Sequence, residues 1–201
     1  AIQLHSKNLR HREVYAHTGW RNINGKWCFL HSGGAITAGE KEAGVEVMLP
    51  ERLRNYLLPD PPEDGGGFRE SLSILDLAPE RITAPFLGAV YLAPLGEIVS
   101  LDFSLFLSGK TGGFKTELAT LAIAHFGKWN SRTLPENWES TANSLERTAF
   151  LAKDVVFVVD DFVPRGGKSD LQQLHIKADR LLRGAANRAG RGRMRSDGGL
   201  A

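Results

Sequence analysis

A glycine-rich turn that ends in a lysine and a threonine is the segment of this chain best suited to chemistry. Residues 105–116 read LFLSGKTGGFKT, so an apolar run leads into the turn. Glycines let successive backbone N–H groups point inward at an anion, Lys115 adds a positive charge, and the Thr116 hydroxyl can hold a magnesium ion. The pattern predicts a loop that binds nucleotide phosphates, with ATP and Mg²⁺ as cofactors. Its residues are Gly109, Lys110, Thr111, Gly112, Gly113, Phe114, Lys115 and Thr116.

The loop departs at one position from the usual spacing, G-x-x-x-x-G-K-[ST]. Counting from Gly109, Phe114 stands where the second glycine is required. We expect either that Phe114 keeps a negative φ or that the left-handed turn moves to Gly113. The alternative interpretation is a glycine-rich turn with a solvated lysine.

An acidic pair after an apolar run is the second candidate site. Residues 155–159, VVFVV, are typical of a strand buried on both faces of a parallel sheet, and Asp160 and Asp161 follow it. Open α/β sheets bind ligands at the carboxyl ends of their strands. We therefore expect Asp160 to hold Mg²⁺ and Asp161 to orient an attacking water, with Lys115 as the other catalytic residue. The alternative is an acidic pair that caps a loop.

The segment from Arg183 onward is rich in arginine and glycine. Its candidate residues are Arg183, Arg188, Arg191, Arg193 and Arg195. Such side chains can follow a nucleic-acid backbone, or stabilise phosphate charge during transfer at a neighbouring subunit of a homo-oligomeric ring. DNA and a second copy of the chain are thus expected partners, and a solvated tail is the alternative.

Composition excludes several classes of protein. The chain has 201 residues and a net charge of +2, which does not by itself indicate nucleic-acid binding. No apolar run approaches the roughly 20 residues needed to span a bilayer, so no membrane partner is expected. Cys28 is the only cysteine, which excludes an internal disulfide and fits a cytoplasmic protein. The six histidines show no metal-binding spacing.

Periodicity and turn residues predict the elements that position these groups. We expect a β-rich region over residues 1–58, a linker over 59–67, a helical connector over 68–98 and a truncated ATPase core over 99–201. Within them, the predicted strands are a hairpin inside 14–36 turning at Asn24-Gly25, then 45–49, 100–108 and 155–159, with a third core strand near 132–134. The predicted helices are 68–77, 85–92 with Pro85 in its first turn, a helix from the loop to Gly127, 143–152, and one that opens at Ser169.

These elements predict an α/β fold: a P-loop NTPase core of the RecA or AAA+ type, incomplete at its C-terminus and preceded by the small β-rich region. Consecutive acidic residues after the second strand favour the division of P-loop enzymes that has an additional strand. In that division the additional strand lies between the two strands predicted here at 100–108 and 155–159. Since no further apolar run follows, we expect a fragment that is marginally stable alone because apolar strand edges are uncovered.

Two other groups of residues are weaker candidates. Thr141 and Asn143 offer polar contacts at the site, although capping of a helix is the favoured role. Tyr15, Trp20 and Trp27 can stack on nucleic-acid bases, although packing within the hairpin is favoured.

The chain resembles the bacterial family called domain of unknown function 927, P-loop proteins of plasmids, phages and integrated elements related to primase-helicases. The likeness lies in HTGWRNINGKWCFLHSGGAI, GVEVMLP, LSGKTGGFKTELATLAIAHFG, WESTANSLE, VVFVVDDF and ADRLLRGAANRAGRGRMRSDG. The resemblance implies a helicase-like ATPase core with Lys115, Thr116, Asp160 and Asp161 in the roles above. It also implies that loops ending in FKT are a family variant, and that a strand sensing the γ-phosphate follows the arginine-rich segment.

The expected function is therefore Mg²⁺-dependent ATP hydrolysis in a helicase-like DNA-processing protein of a bacterial mobile element. The alternative is a nucleic-acid-binding or scaffold module whose nucleotide site is regulatory or inactive, and it is motivated by Phe114 and by an aspartate at position 161. A small-molecule kinase is a third option, but no segment indicates an acceptor pocket.

Overall fold

The computed structural model describes residues 13–38, 40–42, 44–60 and 66–186, which form an α/β structure with small sheets. The strands in these ranges are β1 (Val14–Tyr15), β2 (Gly19–Ile23), β3 (Lys26–His31), β4 (Gly34–Thr37), β5 (Glu40–Glu42), β6 (Glu46–Val47), β7 (Glu136–Asn137) and β8 (Val159–Asp160). The α-helices are α1 (Gly66–Leu72), α2 (Glu80–Leu92), α3 (Lys115–Ala124), α4 (Ala142–Leu151) and α5 (Lys168–Ala186).

The predicted hairpin is confirmed. Strands β2 and β3 pair antiparallel across a two-residue turn in which Asn24 and Gly25 have φ values of 51° and 85°. Positive φ at both positions matches the right-handed twist of the two strands, which is why Asn-Gly is favoured there. Strands β4 and β5 extend the sheet in the order β2-β3-β4-β5.

The hairpin is fixed to the end of α4. The Thr18 amide donates to the Leu151 carbonyl at 2.9 Å, and the Trp20 amide donates to Asp154 Oδ2 at 2.9 Å. A Cβ on Gly19, whose φ is +88°, would stand 2.5 Å from the Lys153 carbonyl oxygen, so this close approach requires glycine.

The aromatic residues of the hairpin differ in their surroundings. Trp20 packs edge-on against Phe29 at 5.2 Å, and its indole N–H donates to the Pro94 carbonyl at 2.7 Å. Trp27 is exposed, and Tyr15 donates to the Glu13 carboxylate. Trp20 therefore packs within the fold, as favoured, whereas Trp27 remains available to solvent.

One core joins the segment after β6 to the helices. Leu49, Leu53 and Tyr56 are buried in the same cluster as side chains from α2, from α3 and from the turn that follows α3. These partners are Phe86, Val90, Ala122, Ile123, Phe126 and Trp129. The buried Tyr56 hydroxyl donates to the Val156 carbonyl at 2.8 Å, and burial raises its pKa well above the ordinary value. The core thus reaches the segment that leads to β8.

Three strand predictions of the core are wrong in position. Residues 100–108 form no strand, and the strand expected over 155–159 is β8, limited to Val159–Asp160. The third strand lies at β7, two residues beyond the end of the predicted 132–134. Strands β7 and β8 pair in parallel. A strand exists only where a neighbour completes its ladder of hydrogen bonds, and residues 155–158 are accordingly half-buried rather than buried on both faces.

Several element boundaries also differ. Helix α2 begins at Glu80, so Pro85 lies inside the helix rather than in its first turn. The missing proline N–H is tolerated because Thr83, Phe86, Leu87 and Val90 on the same helix are buried. Strand β6 is Glu46–Val47 rather than 45–49, α1 ends at Leu72, and α5 begins one residue before Ser169.

Candidate functional site

Helix α3 begins directly after the glycine-rich loop, as predicted, but the loop follows an unexpected path. Gly112 and Phe114 have φ values of 80° and 53°, whereas Gly113 does not have a positive φ. Both expectations for the loop are therefore wrong, because Phe114 itself takes the left-handed conformation. Its ring is 79% exposed, which shows that the backbone at this position is not held by burial of the side chain. A left-handed non-glycine residue costs about 1–2 kcal/mol.

The Lys115 side chain lies back over the loop. Its Nζ donates to the Gly109 carbonyl at 3.0 Å and to the Lys110 carbonyl at 2.8 Å. The ammonium is thereby held beside the turn, next to the first backbone N–H groups of α3. A lysine charge and a helix N-terminus together favour an anion at this point.

The two residues predicted to hold a metal lie next to each other. Thr116 Oγ1, in the first turn of α3, is 3.2 Å from Asp160 Oδ2 and 3.3 Å from Asp160 Oδ1. Asp160 ends β8, 44 residues further along the chain. A hydroxyl and a carboxylate are hard oxygen ligands, so this pair fits Mg²⁺. Lys115, Thr116, Asp160 and Asp161 line one cleft of about 2710 Å³.

A buried carboxylate supports the strand beside Asp160. Glu136 in β7 pairs with Val159, so the next residue, Asn137, pairs with Asp160. The Glu136 side chain is 0% exposed, and its Oε2 accepts from Arg52 Nη1 at 2.5 Å. Its carboxylate oxygens also accept from hydroxyls of Ser140 at 2.6 Å, Ser144 at 3.2 Å and Thr148 at 2.8 Å.

Burial alone would raise the pKa of Glu136, but the hydrogen bonds from Ser140 and Thr148 and the charge of Arg52 outweigh it and lower the pKa below the ordinary 4.5. Glu136 was not predicted, because a single glutamate after a proline forms no motif. The available signal was the spacing of Ser140, Ser144 and Thr148, four residues apart and therefore on one face of a helix.

Asp161 is less buried than Asp160 and is already paired. Its φ is 63°, its side chain is 46% exposed, and Oδ2 accepts from Arg165 Nη2 at 3.1 Å. The same guanidinium forms an ion pair with Glu139, just beyond β7. The carboxylate expected to orient water therefore shares a cation with a second carboxylate.

Comparison with known proteins assigns the chain to a family. A sequence model described as Domain of unknown function (DUF927) matches residues 85–198, more than half of the chain. The chain belongs to this family. The matched residues include the glycine-rich loop and both aspartates. No curated protein and no solved structure gives a significant match.

The remaining candidates of this DUF927 chain lie in several places. Arg183 in α5 lines the cleft and pairs with Asp179 at 2.7 Å, whereas Arg188, Arg191, Arg193 and Arg195 lie outside the described residues. Thr141 caps α4 by accepting from the Ser144 amide at 3.2 Å, so the capping role is confirmed for it. Asn143 lies within α4, where its side-chain oxygen accepts from Arg180, so the capping role expected of it is wrong.

No helix in the described ranges is long and apolar enough to cross a membrane. No group of three or more His, Cys, Asp or Glu side chains there is placed to hold a metal ion. Mg²⁺ in nucleotide sites is commonly held by one or two protein groups together with phosphates and water, so a site of that kind would not need three such side chains.

Proposed function

We propose that this DUF927 chain binds ATP with Mg²⁺ and hydrolyses it, as the P-loop ATPase core of a helicase-like DNA-processing protein of a bacterial mobile element. The observation that carries the proposal is the contact of Thr116 with Asp160, at 3.2 Å across 44 residues of sequence. The contact joins a hydroxyl and a carboxylate beside a lysine-bearing loop that opens a helix, and two such oxygen ligands support a magnesium site there.

Each residue has a distinct role in this proposal. The loop amides and Lys115 bind the β- and γ-phosphates, and Thr116 and Asp160 would hold Mg²⁺. When bound, the metal neutralises negative charge on the phosphates. Asp161 accepts a hydrogen bond from the attacking water and orients it.

The cleft supports a parallel sheet of the RecA or AAA+ type. Residues 101–108 on one wall form no backbone hydrogen bond to the described residues, and residues 155–158 on another wall are apolar and lead into β8. One further strand between them would complete the ladders of both segments. The parallel pairing of β7 with β8 gives the direction that such a sheet requires.

DNA and a neighbouring subunit of a ring are the partners proposed for the arginine-rich segment. Arg183 lines the cleft, and its exposed guanidinium suits a phosphate of DNA or of a nucleotide on a neighbouring subunit. The other candidates, Arg188, Arg191, Arg193 and Arg195, support binding to phosphate through the positive charge that they add to this segment.

Replacement of Lys115 tests the proposed activity. We expect Lys115→Ala to weaken Mg·ATP binding about tenfold or more, since a charge-assisted contact to phosphate is lost, and to abolish phosphate release. Fluorescence titration with an ATP analogue and a phosphate-release assay measure the two effects. Lys128→Ala is the matched control, because Lys128 is exposed and does not line the cleft. Phosphate release at the wild-type rate by Lys115→Ala would contradict the proposal.

A regulatory or inactive nucleotide site is the second candidate function. It is favoured by the pairing of Asp161 with Arg165, which engages the carboxylate that hydrolysis needs. Binding of Mg·ATP without phosphate release, in the presence and absence of DNA, is the result that this alternative predicts.

A further inference from the structure

An arginine bridges the ends of the two parallel strands at the site. Arg165 Nη2 donates to Asp161 Oδ2 at 3.1 Å, one residue beyond β8. Its Nη1 pairs with Glu139, two residues beyond β7. One guanidinium thus connects two carboxylates at the edge where Asp160 lies.

The bridge competes with the role proposed for Asp161. A carboxylate that orients water must offer an oxygen that accepts a hydrogen bond from that water. A guanidinium on Oδ2 occupies one such oxygen with a charge-assisted hydrogen bond.

The bridge can open without loss of the fold. The Arg165 side chain is 66% exposed, and Asp161 and Glu139 are each about half-exposed. Exposed ion pairs contribute little to stability, because water and salt screen the charges. Gly166 and Gly167 follow Arg165 in an exposed loop, and the core clusters do not include the arginine.

Charged and apolar side chains both surround the bridge. A small pocket of about 220 Å³ is lined by Asp161, Glu139 and Arg165 together with Asp170 and Lys177 of α5. Lys177 donates to the carbonyls of Trp138 and Ser140 and is therefore engaged elsewhere. Arg165 is the cation that contacts the Asp161 carboxylate among the described residues.

We propose that Arg165 is a positioning residue that restrains Asp161: while the guanidinium bridges Asp161 and Glu139, the Asp161 carboxylate is not free to orient water, and hydrolysis speeds up when the bridge opens. This inference rests on the proposed function and adds a regulation to the same site. It differs from a purely stabilising bridge, which predicts that loss of Arg165 leaves turnover unchanged or lowers it.

The test compares ATP turnover by the wild-type chain with Arg165→Ala, Arg165→Lys and the double variant Arg165→Ala with Asp161→Asn. We expect Arg165→Ala to raise kcat about two- to fivefold, the shift that loss of one exposed ion pair can produce, with KM within about twofold. Arg165→Lys keeps the charge and stays near wild type. The double variant loses the gain, because the restrained group is then absent.

Arg81→Ala serves as a control, because Arg81 is exposed and does not line the cleft. Urea unfolding of each variant excludes a general loss of stability. The restraint is overturned if Mg·ATP binds in a Lys115-dependent way but Arg165→Ala turns over no faster than wild type. The same holds if neither protein hydrolyses ATP. If Arg165→Ala hydrolyses ATP and the wild type does not, the restraint is supported. Failure of Lys115-dependent binding would instead contradict the proposed function, and the restraint with it.

Discussion

At the scale of single residues, charged groups near the site depend on a few well-defined partners. The Glu136 carboxylate is buried, yet it accepts hydrogen bonds from three hydroxyls and from Arg52. A buried charge is stable only when such partners replace the lost water. Because Glu136 lies in β7, these bonds join α4 and the 3-10 turn that contains Arg52 to the strand that flanks Asp160.

This network predicts how stability depends on pH. The lowered pKa of Glu136 means that its contribution is present at pH values above the ordinary 4.5 and is lost as the pH falls through the lower, folded-state value. We expect Glu136→Gln to lower the free energy of unfolding by about 1.5–3 kcal/mol at pH 7, the range for hydrogen bonds to a charged group. The difference from wild type should shrink as the pH falls below 4.5.

Urea unfolding monitored across pH measures both effects. Glu70→Gln is the control, since Glu70 is exposed, and it should behave like wild type. A Glu136→Gln difference that stays constant from pH 7 to the acid range would refute the assignment of the stabilising network to the ionised carboxylate.

At the scale of elements, those fixed by contacts between residues close in sequence were predicted well, and those that depend on distant partners were not. The hairpin was predicted because Asn24-Gly25 fixes its turn locally. Capping by Thr141 was also predicted, since it bonds an amide only three residues away, although the start of α4 was placed one residue late, at Asn143. The strands of the core were misplaced because their ladders depend on partners elsewhere in the chain. An apolar run such as VVFVV indicates burial but does not specify which residues will be paired.

The site shows the same limit. The contact of Thr116 with Asp160 was anticipated from two motifs, since each marks one end of a ligand-binding arrangement. The Arg165 bridge and the Glu136 network were not predicted, because the partners Glu139 and Arg52 lie in other elements and neither arginine belongs to a motif. The left-handed φ of Phe114 was also missed, because propensity favours glycine in that conformation and the surrounding loop overrides it.

Hydrogen exchange tests the unpaired segment before the loop. Amides of residues 101–108 lack backbone partners among the described residues, so we expect exchange close to the rate of an unstructured chain. Amides of β3, in the middle of its sheet, should be slower by about 100-fold or more. Mass spectrometry of peptides from both segments of one sample makes the comparison internal. Equal protection of the two segments would show that residues 101–108 are hydrogen-bonded.

At the scale of the whole molecule, the N-terminal part and the loop-bearing part are packed together. Thr18 and Trp20 bond to the end of α4, and Leu49, Leu53 and Tyr56 share a core with α2 and α3. The Tyr56 hydroxyl also bonds to Val156, in the segment that precedes Asp160. Both halves of the proposed magnesium site are thus supported by the same core: α3 directly, and β8 through the segment that leads to it.

This arrangement leaves apolar surface along the cleft. Phe103, Leu105 and Phe106 are exposed, and the Phe106 ring contacts Phe162 with 5.5 Å between ring centroids. Exposed apolar side chains on a segment without backbone partners are typical of a surface that receives another element. The marginal stability expected of the chain alone follows from the same feature and stays a prediction.

We propose above all that Thr116 and Asp160 form one magnesium site for a nucleotide held by Lys115. Titration of a fluorescent ATP analogue, with and without Mg²⁺, tests it most directly in the wild-type chain, in Asp160→Asn and in the exposed control Asp76→Asn. We predict that Mg²⁺ raises the affinity of the wild type and the control by about tenfold or more, and that Asp160→Asn loses most of this gain while keeping the magnesium-independent binding. An equal magnesium effect in Asp160→Asn and wild type would contradict the claim.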